Sequence, residues 1–165
     1  MNQPSFDKIY MDLAWSLATR SHCIKRKVGA VITKDTRAIA TGYNGPPPGT
    51  YNCDEKWPKK GCPRSLRGGC SLALHAEQNA IIFALKNKVD LQGSTLYITL
   101  SPCLPCARVI FSAGIVKVFY QESYAELKGL EIEEGIRFLD ELGVQTVRYM
   151  NSPNPKEDNI GHVKE

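Results

Sequence analysis

His75 and Glu77 are separated by a single residue, and Cys103 and Cys106 by two. Imidazole and thiolate together form a zinc donor set. A spacing of three on a helix brings both sulfurs to one face, and the pair sits at an expected helix start. A helix N-terminus lowers thiol pKa, which favours the thiolates a metal needs. His75 also lies near an expected helix start. Three protein ligands leave a fourth position for water, the arrangement of a catalytic zinc, and zinc brings the pKa of such a water toward about 7. Positions i and i+2 diverge on a helix, so Glu77 is expected beside the metal as a proton shuttle and not as a ligand. A lone C-x-x-C also suits a redox dithiol or half of a structural zinc site. The two fragments together favour the catalytic reading.

These residues need elements to hold them. Phe6, Ile9, Tyr10, Leu13, Ala14, Leu17 and Ala18 recur at helical spacing, which predicts a helix over 5–20. Val28–Ile32 and Ala38–Tyr43 read as paired strands around a polar turn at Lys34–Arg37. Gly45, three prolines and Gly49 then open a loop to about Cys70, a length that is usually functional or cross-linked. Further helices are predicted over 74–87, 103–113 and 131–142, the last with Ile132, Ile136, Leu139 and Leu142 on one face. Further strands are predicted over 95–100, 117–120 and 144–149. Alternation of this kind gives an α/β domain with helices on both faces of one mixed sheet. Residues 1–150 read as one domain, and 151–165, polar and aperiodic, as a loosely ordered tail.

Composition bounds the rest. The chain has 165 residues, is 42% hydrophobic and 23% charged, and carries a net charge of +4. Those values suit one globular domain and argue against global disorder. The longest apolar stretch, Ala80–Leu85, is far short of the roughly 18 residues of a membrane span. The polar start, Met1–Asp7, shows no signal-peptide pattern, so a cytoplasmic protein is expected. In such a chain six cysteines point to metal more than to disulfides. Lys25-Arg26-Lys27 is the densest basic group, readable as a solvated loop or as a phosphate contact.

Val28–Ile32, Thr41–Gly45, His75–Ile81 and Tyr97–Cys103 carry a resemblance. H-x-E…P-C-x-x-C is the signature of zinc deaminases. With the Gly-Tyr-Asn-Gly element and the long loop, the chain resembles the deoxycytidylate (dCMP) deaminases of the cytidine deaminase superfamily over about residues 5 to 150. The resemblance implies a three-layer α/β/α cytidine-deaminase-like fold with a five-stranded mixed sheet. It implies hydrolysis of dCMP to dUMP and ammonia, supplying dUMP for thymidylate synthesis. It assigns Zn2+ to His75, Cys103 and Cys106, and the proton transfers to Glu77. It gives Asn44 to the deoxyribose, and Ser101 with the backbone around Ala76 to the base edge. Tyr124 would pack on the nucleotide, and Arg26 would meet the phosphate, with Lys25 and Lys27 as rivals. As a turn residue Asn44, and as a core or interface aromatic Tyr124, also have structural readings. Many members are homohexamers activated by dCTP and inhibited by dTTP, with Mg2+ on the triphosphate. Tyr43, Asn44 and Gly45 would then contact the effector, although Pro46–Pro48 make a stiff continuation.

Some relatives hold a second, structural zinc. Cys23 and Cys53 match its positions, and Cys62 and Cys70 would stand where histidines do, with His22 as an alternative ligand. Four thiolates would close a tetrahedral site and tie the loop to the first strand. The other reading is four unlinked thiols. A nucleic-acid cytosine or adenosine deaminase would share the zinc chemistry, but the chain lacks a basic stripe interleaved with aromatics. A non-catalytic zinc-stabilised binding protein would have no need of Glu77.

Overall fold

The computed structural model describes residues 3–58, 62–64 and 70–150; the tail at 151–165 lies outside them. Five strands form one mixed sheet in the order β2-β1-β3-β4-β5. They are β1 (Gly29–Lys34), β2 (Arg37–Tyr43), β3 (Thr95–Leu100), β4 (Lys117–Glu122) and β5 (Gln145–Arg148). β1 pairs antiparallel with β2 and β3, while β3, β4 and β5 run parallel. The hairpin turns at Asp35 and Thr36, both at positive φ, which matches the right-handed twist of the flanking strands.

Side chains alternate across this sheet. Val31, Tyr97 and Phe119 face α1 (Phe6–Ala18), where they meet Tyr10, Met11 and Ala14. Ala30, Ile32, Leu96, Ile98 and Val118 belong to the cluster of the other face. There they meet Ala80 and Ala84 of the helix Ala76–Lys86, Ala107 and Ile110 of the helix Leu104–Ser112, and Leu139 of the helix Glu134–Glu141. Each large apolar side chain so buried contributes about 1.5–3 kcal/mol. The result is the expected three-layer α/β/α architecture. In chain order the helices after α1 are α2 (Cys53–Lys56), α3 (Ala76–Lys86), α4 (Leu104–Ser112), α5 (Tyr124–Lys128) and α6 (Glu134–Glu141).

Two glycines set the spacing of the layers. A Cβ on Gly29 would lie 1.9 Å from the Ala14 carbonyl oxygen of α1, and one on Gly42 would lie 2.3 Å from that of Ala76 at the start of α3. Hydrogen at those positions is what lets both helices sit directly on the hairpin.

Several boundaries differ from the sequence reading. α1 ends two residues early. The short helices α2 and α5 are additional, one inside the long loop and one after β4. The last helix begins at Glu134 and not at 131, so Ile132 is 49% exposed, and Leu142, at the cap, is 45% exposed. Only Ile136 and Leu139 of the expected apolar face are buried. The cause is tertiary: the Glu133 carboxylate is drawn out of the helix by hydrogen bonds from Ala125 of the α5 turn and Ser101 of the β3–α4 loop. Among the described residues, no helix is long and apolar enough to cross a membrane.

Candidate metal centre

His75 is the N-cap of α3 and Cys103 the N-cap of α4, with Cys106 in the first turn of α4. The backbone N–H of His75 donates to Gln78 Oε1 at 2.8 Å, which fixes the entry of α3. Pro105 occupies the first turn of α4, where a missing N–H costs nothing. Two helix N-termini therefore converge. His75 Nδ1 lies 3.6 Å from Cys103 Sγ and 3.3 Å from Cys106 Sγ. All three ligand atoms lie within 4.8 Å of one another. His75 is exposed, Cys103 half-buried and Cys106 buried, so the set opens to solvent on the imidazole side.

The electrostatics suit a metal. Hydrogen bonding from Cys106, with His75 also contributing, holds the Cys103 thiol down at about 4. Hydrogen bonding to Cys103 raises His75 to about 9. Cys106 is shifted upward, first by its bond to Cys103 and then by burial. The trio thus already carries thiolate character opposite an imidazolium. One nitrogen and two sulfurs at these separations fit zinc, which would replace the shared proton.

Glu77 lies in the first turn of α3 and is only 3% exposed. Burial raises its carboxyl above the usual range, and its side chain hydrogen-bonds Cys106. It stands beside the ligand trio without being part of it. A buried carboxyl whose pKa is pushed up by desolvation and which touches an open metal set is placed to take and give a proton there.

The entrance to α3 is held from the other side. Gly45 and Leu74 exchange two backbone hydrogen bonds, at 3.1 and 2.9 Å, immediately before His75. The β3–α4 loop is held by α6, where a Cβ on Gly135 would lie 2.0 Å from the Pro102 carbonyl oxygen.

The other expected site residues fall into place unevenly. Asn44 is turned onto the backbone: its Oδ1 accepts from Val28 N and its Nδ2 donates to Arg26 O, both at 2.8 Å. Its carboxamide shapes the basic segment. Arg26 is exposed and pairs with Glu122 Oε2 at 2.9 Å. Ser101 is buried, and its hydroxyl donates to Glu133 Oε1 and accepts from Tyr124 N. That hydroxyl ties the loop to Glu133 and Tyr124. Ala76 is the first residue of α3, where backbone N–H groups lack intrahelical partners. Tyr124 begins α5 and is half-buried.

Tyr43 and Gly45 do not line the metal set. They line a cavity of about 420 Å³ with His22, Pro46–Pro48, Asn52, Asn79 and Phe83. The four remaining cysteines are free thiols. Cys53 is buried, and burial raises its thiol, assisted by the fields of Cys23, Cys70 and Cys62. Each of the three is thus near enough to Cys53 to be felt by it, but among the described residues only His75, Cys103 and Cys106 have ligand atoms gathered closely enough for a metal. Cys70 Sγ accepts from Ala73 N at 3.3 Å. His22 is taken up by both Asp54 carboxylate oxygens, at 3.0 and 2.9 Å. Sequence reasoning missed Glu122 and Glu133; both are unremarkable acidic residues until the fold brings Arg26 to the one and Ser101, Ser123 and Ala125 to the other.

Fold and donor set together define a zinc-binding deaminase domain. The family model for the cytidine and deoxycytidylate deaminase zinc-binding region matches residues 4–122. The chain belongs to this family. It is 38% identical to the deoxycytidylate deaminase of Saccharomyces cerevisiae over 159 residues, 93% of this chain and 48% of that protein. It is 39% identical to the deoxycytidylate deaminase of Mycobacterium phage D29 over 132 residues, 73% of this chain and 97% of that one. The chain spans about half the length of the Saccharomyces relative, and 38% of the Schizosaccharomyces pombe one. Among solved structures, the dCMP deaminase of cyanophage S-TIM5 in complex with dCMP and dUMP superposes with a TM-score of 0.73 at 33% identity. The match covers 90% of this chain and all of that one.

Proposed function

We propose that this protein is a zinc-dependent dCMP deaminase that converts dCMP and water to dUMP and ammonia, supplying dUMP for thymidylate synthesis. The observation that carries the reading is the buried Glu77 carboxyl against the His75, Cys103 and Cys106 set. The likeness to the cyanophage enzyme supports the choice of nucleotide. Zinc held by those three residues would supply Lewis-acid activation of water at neutral pH. Glu77 receives the proton that water gives up. It delivers that proton to ring N3 as the tetrahedral centre forms at C4; it then takes the proton of the new C4 hydroxyl and passes it to the amine, so that the C4–N bond breaks, ammonia leaves and the C4 carbonyl forms. Burial favours its protonated form more than in water, and the same carboxyl, alternately carboxylate and acid, serves both transfers. The backbone around Ala76 lies beside the same helix turn and is the expected reader of the base edge. Arg26 is the proposed phosphate partner, for which it would exchange Glu122. Tyr124 is the proposed wall of the nucleotide pocket.

The cavity lined by Tyr43 and Gly45 is the proposed site for dCTP or dTTP with Mg2+. Its coupling to the metal set would run through the Gly45–Leu74 hydrogen bonds into His75. A homohexamer and a cytoplasmic location belong to the same reading. The six free thiols suit a reducing compartment. Cys23, Cys53, Cys62 and Cys70 are proposed to hold a second, structural zinc.

The test is the ultraviolet absorbance of dCMP with the zinc-loaded protein, with and without dCTP and magnesium. Loss of the cytosine band is expected, faster with dCTP. Equal rates would remove the effector. No loss with zinc in place would overturn the dCMP reading, and single-stranded oligonucleotides would be tried next.

A further inference from the structure

Glu133 is used by no step above, yet its Oε1 gathers three donors. Ser101 Oγ donates to it at 2.9 Å and the Ala125 backbone N–H at 3.0 Å, and Ser123 Oγ donates as well. The network closes on itself. Ser101 Oγ accepts from Tyr124 N at 2.7 Å, and Ser123 Oγ accepts from Glu126 N at 3.0 Å. Both serines are buried, at 3% and 5% exposure. Ser101 lies two residues before Cys103, and Ser123 directly precedes Tyr124.

One oxygen thus joins three segments: the β3–α4 loop that carries a metal ligand, the β4–α5 turn that carries Tyr124, and the start of α6. The same start of α6 presses Gly135 against the Pro102 carbonyl. We propose that Glu133 is a positioning residue for the deamination, setting the distance between the Tyr124 turn and the metal loop and so the width of the nucleotide pocket. The inference rests on the dCMP reading. The metal loop has a second anchor in the Gly135 contact; the Tyr124 turn is also held at Glu126, by Arg148, but the N–H groups of Tyr124, Ala125 and Glu126 at its start are taken up within the Glu133 network. Loss of Glu133 should therefore loosen the substrate wall before it disturbs the metal.

All three donors need an acceptor oxygen at one place. None needs its full charge. Gln keeps that oxygen, Asp withdraws it by one methylene, and Ala removes it and leaves buried donors without a partner. In zinc-loaded E133A and E133D the KM for dCMP should rise about tenfold, with kcat within about threefold and zinc content unchanged. E133Q should stay close to wild type. Hydrogen exchange supplies a readout apart from activity: the Tyr124 and Ala125 amides should exchange at least about tenfold faster in E133A and at the wild-type rate in E133Q. An unchanged KM in folded, zinc-replete E133A would overturn the inference. So would equal rescue by Asp and Gln, or unchanged amide exchange. Wild-type protein run in parallel separates the failures: no dCMP turnover there overturns the dCMP reading and this inference with it, whereas normal turnover beside an unaffected E133A overturns the role of Glu133 alone.

Discussion

Gly45 and Leu74 exchange both of their backbone hydrogen bonds one residue before His75. The loop that follows β2 is thereby stitched to the start of the metal-bearing helix. Gly45 has open space where a Cβ would be, so Gly45→Ala should keep stability within about 0.5 kcal/mol. Gly45→Pro removes the N–H donated to Leu74 O and should cost at least about 1 kcal/mol. It should also weaken zinc retention. Thermal melts and zinc content after dialysis against a weak chelator check both.

Glu77→Gln should fold and bind zinc as the wild type does, because Glu77 is outside the ligand trio. Its kcat should fall by at least about a hundredfold, the scale of a lost acid–base group. Steady-state rates on dCMP beside zinc content decide the matter. Retained activity removes Glu77 from the chemistry.

Gly135→Ala places a methyl 2.0 Å from the Pro102 carbonyl oxygen. Backbone must shift to admit it, at about 1–3 kcal/mol. The displaced loop carries Cys103, so zinc affinity should fall together with the melting temperature. A competition titration against a chromogenic chelator reads the first and calorimetry the second.

Zinc analysis of the purified protein should give about two ions per chain. Substituting Cys53 by Ser should reduce this to one, since Cys53 is the buried member that feels the other three thiols. A wild-type content of about one ion removes the second site.

Acid should destabilise the fold through paired carboxylates. Asp54, Asp90 and Glu126 are held below the ordinary range by hydrogen bonds from His22, Lys34 and Arg148 respectively. A depressed folded-state pKa adds stability above the unfolded value, and that stability is lost as pH falls through the folded one. The melting temperature should therefore drop below about pH 4. Glu126→Gln should flatten part of that slope, read as melting temperature against pH.

The metal set was legible in the chain because its information is local. His75, Glu77, Cys103 and Cys106 lie at helix starts, and caps, prolines and i,i+3 spacing are written within a few residues of each. Most strands were legible for the same reason: short continuous apolar runs bounded by turn signals, such as Val28–Ile32, need no distant partner to be recognised. The helix expected over 131–142 failed at its start, where Glu131–Glu134 look like any acidic first turn. What removes Glu133 from the helix is a set of donors on Ser101, Ser123 and Ala125, and Ser101 lies 32 residues away.

By itself the sequence determined the donor atoms, their helical settings and the alternating pattern of the sheet. Only the tertiary structure decided who meets whom. It turned the Asn44 carboxamide onto Val28 and Arg26, set Arg26 against Glu122 across 96 residues of chain, and closed the Ser101 hydroxyl between Glu133 and Tyr124. Short polar side chains carry little preference of their own for one partner over another. Their partners are fixed when packing of Gly29, Gly42 and Gly135 against neighbouring backbone sets the layer distances, and a hydrogen bond forms only where those distances bring donor and acceptor within about 3 Å.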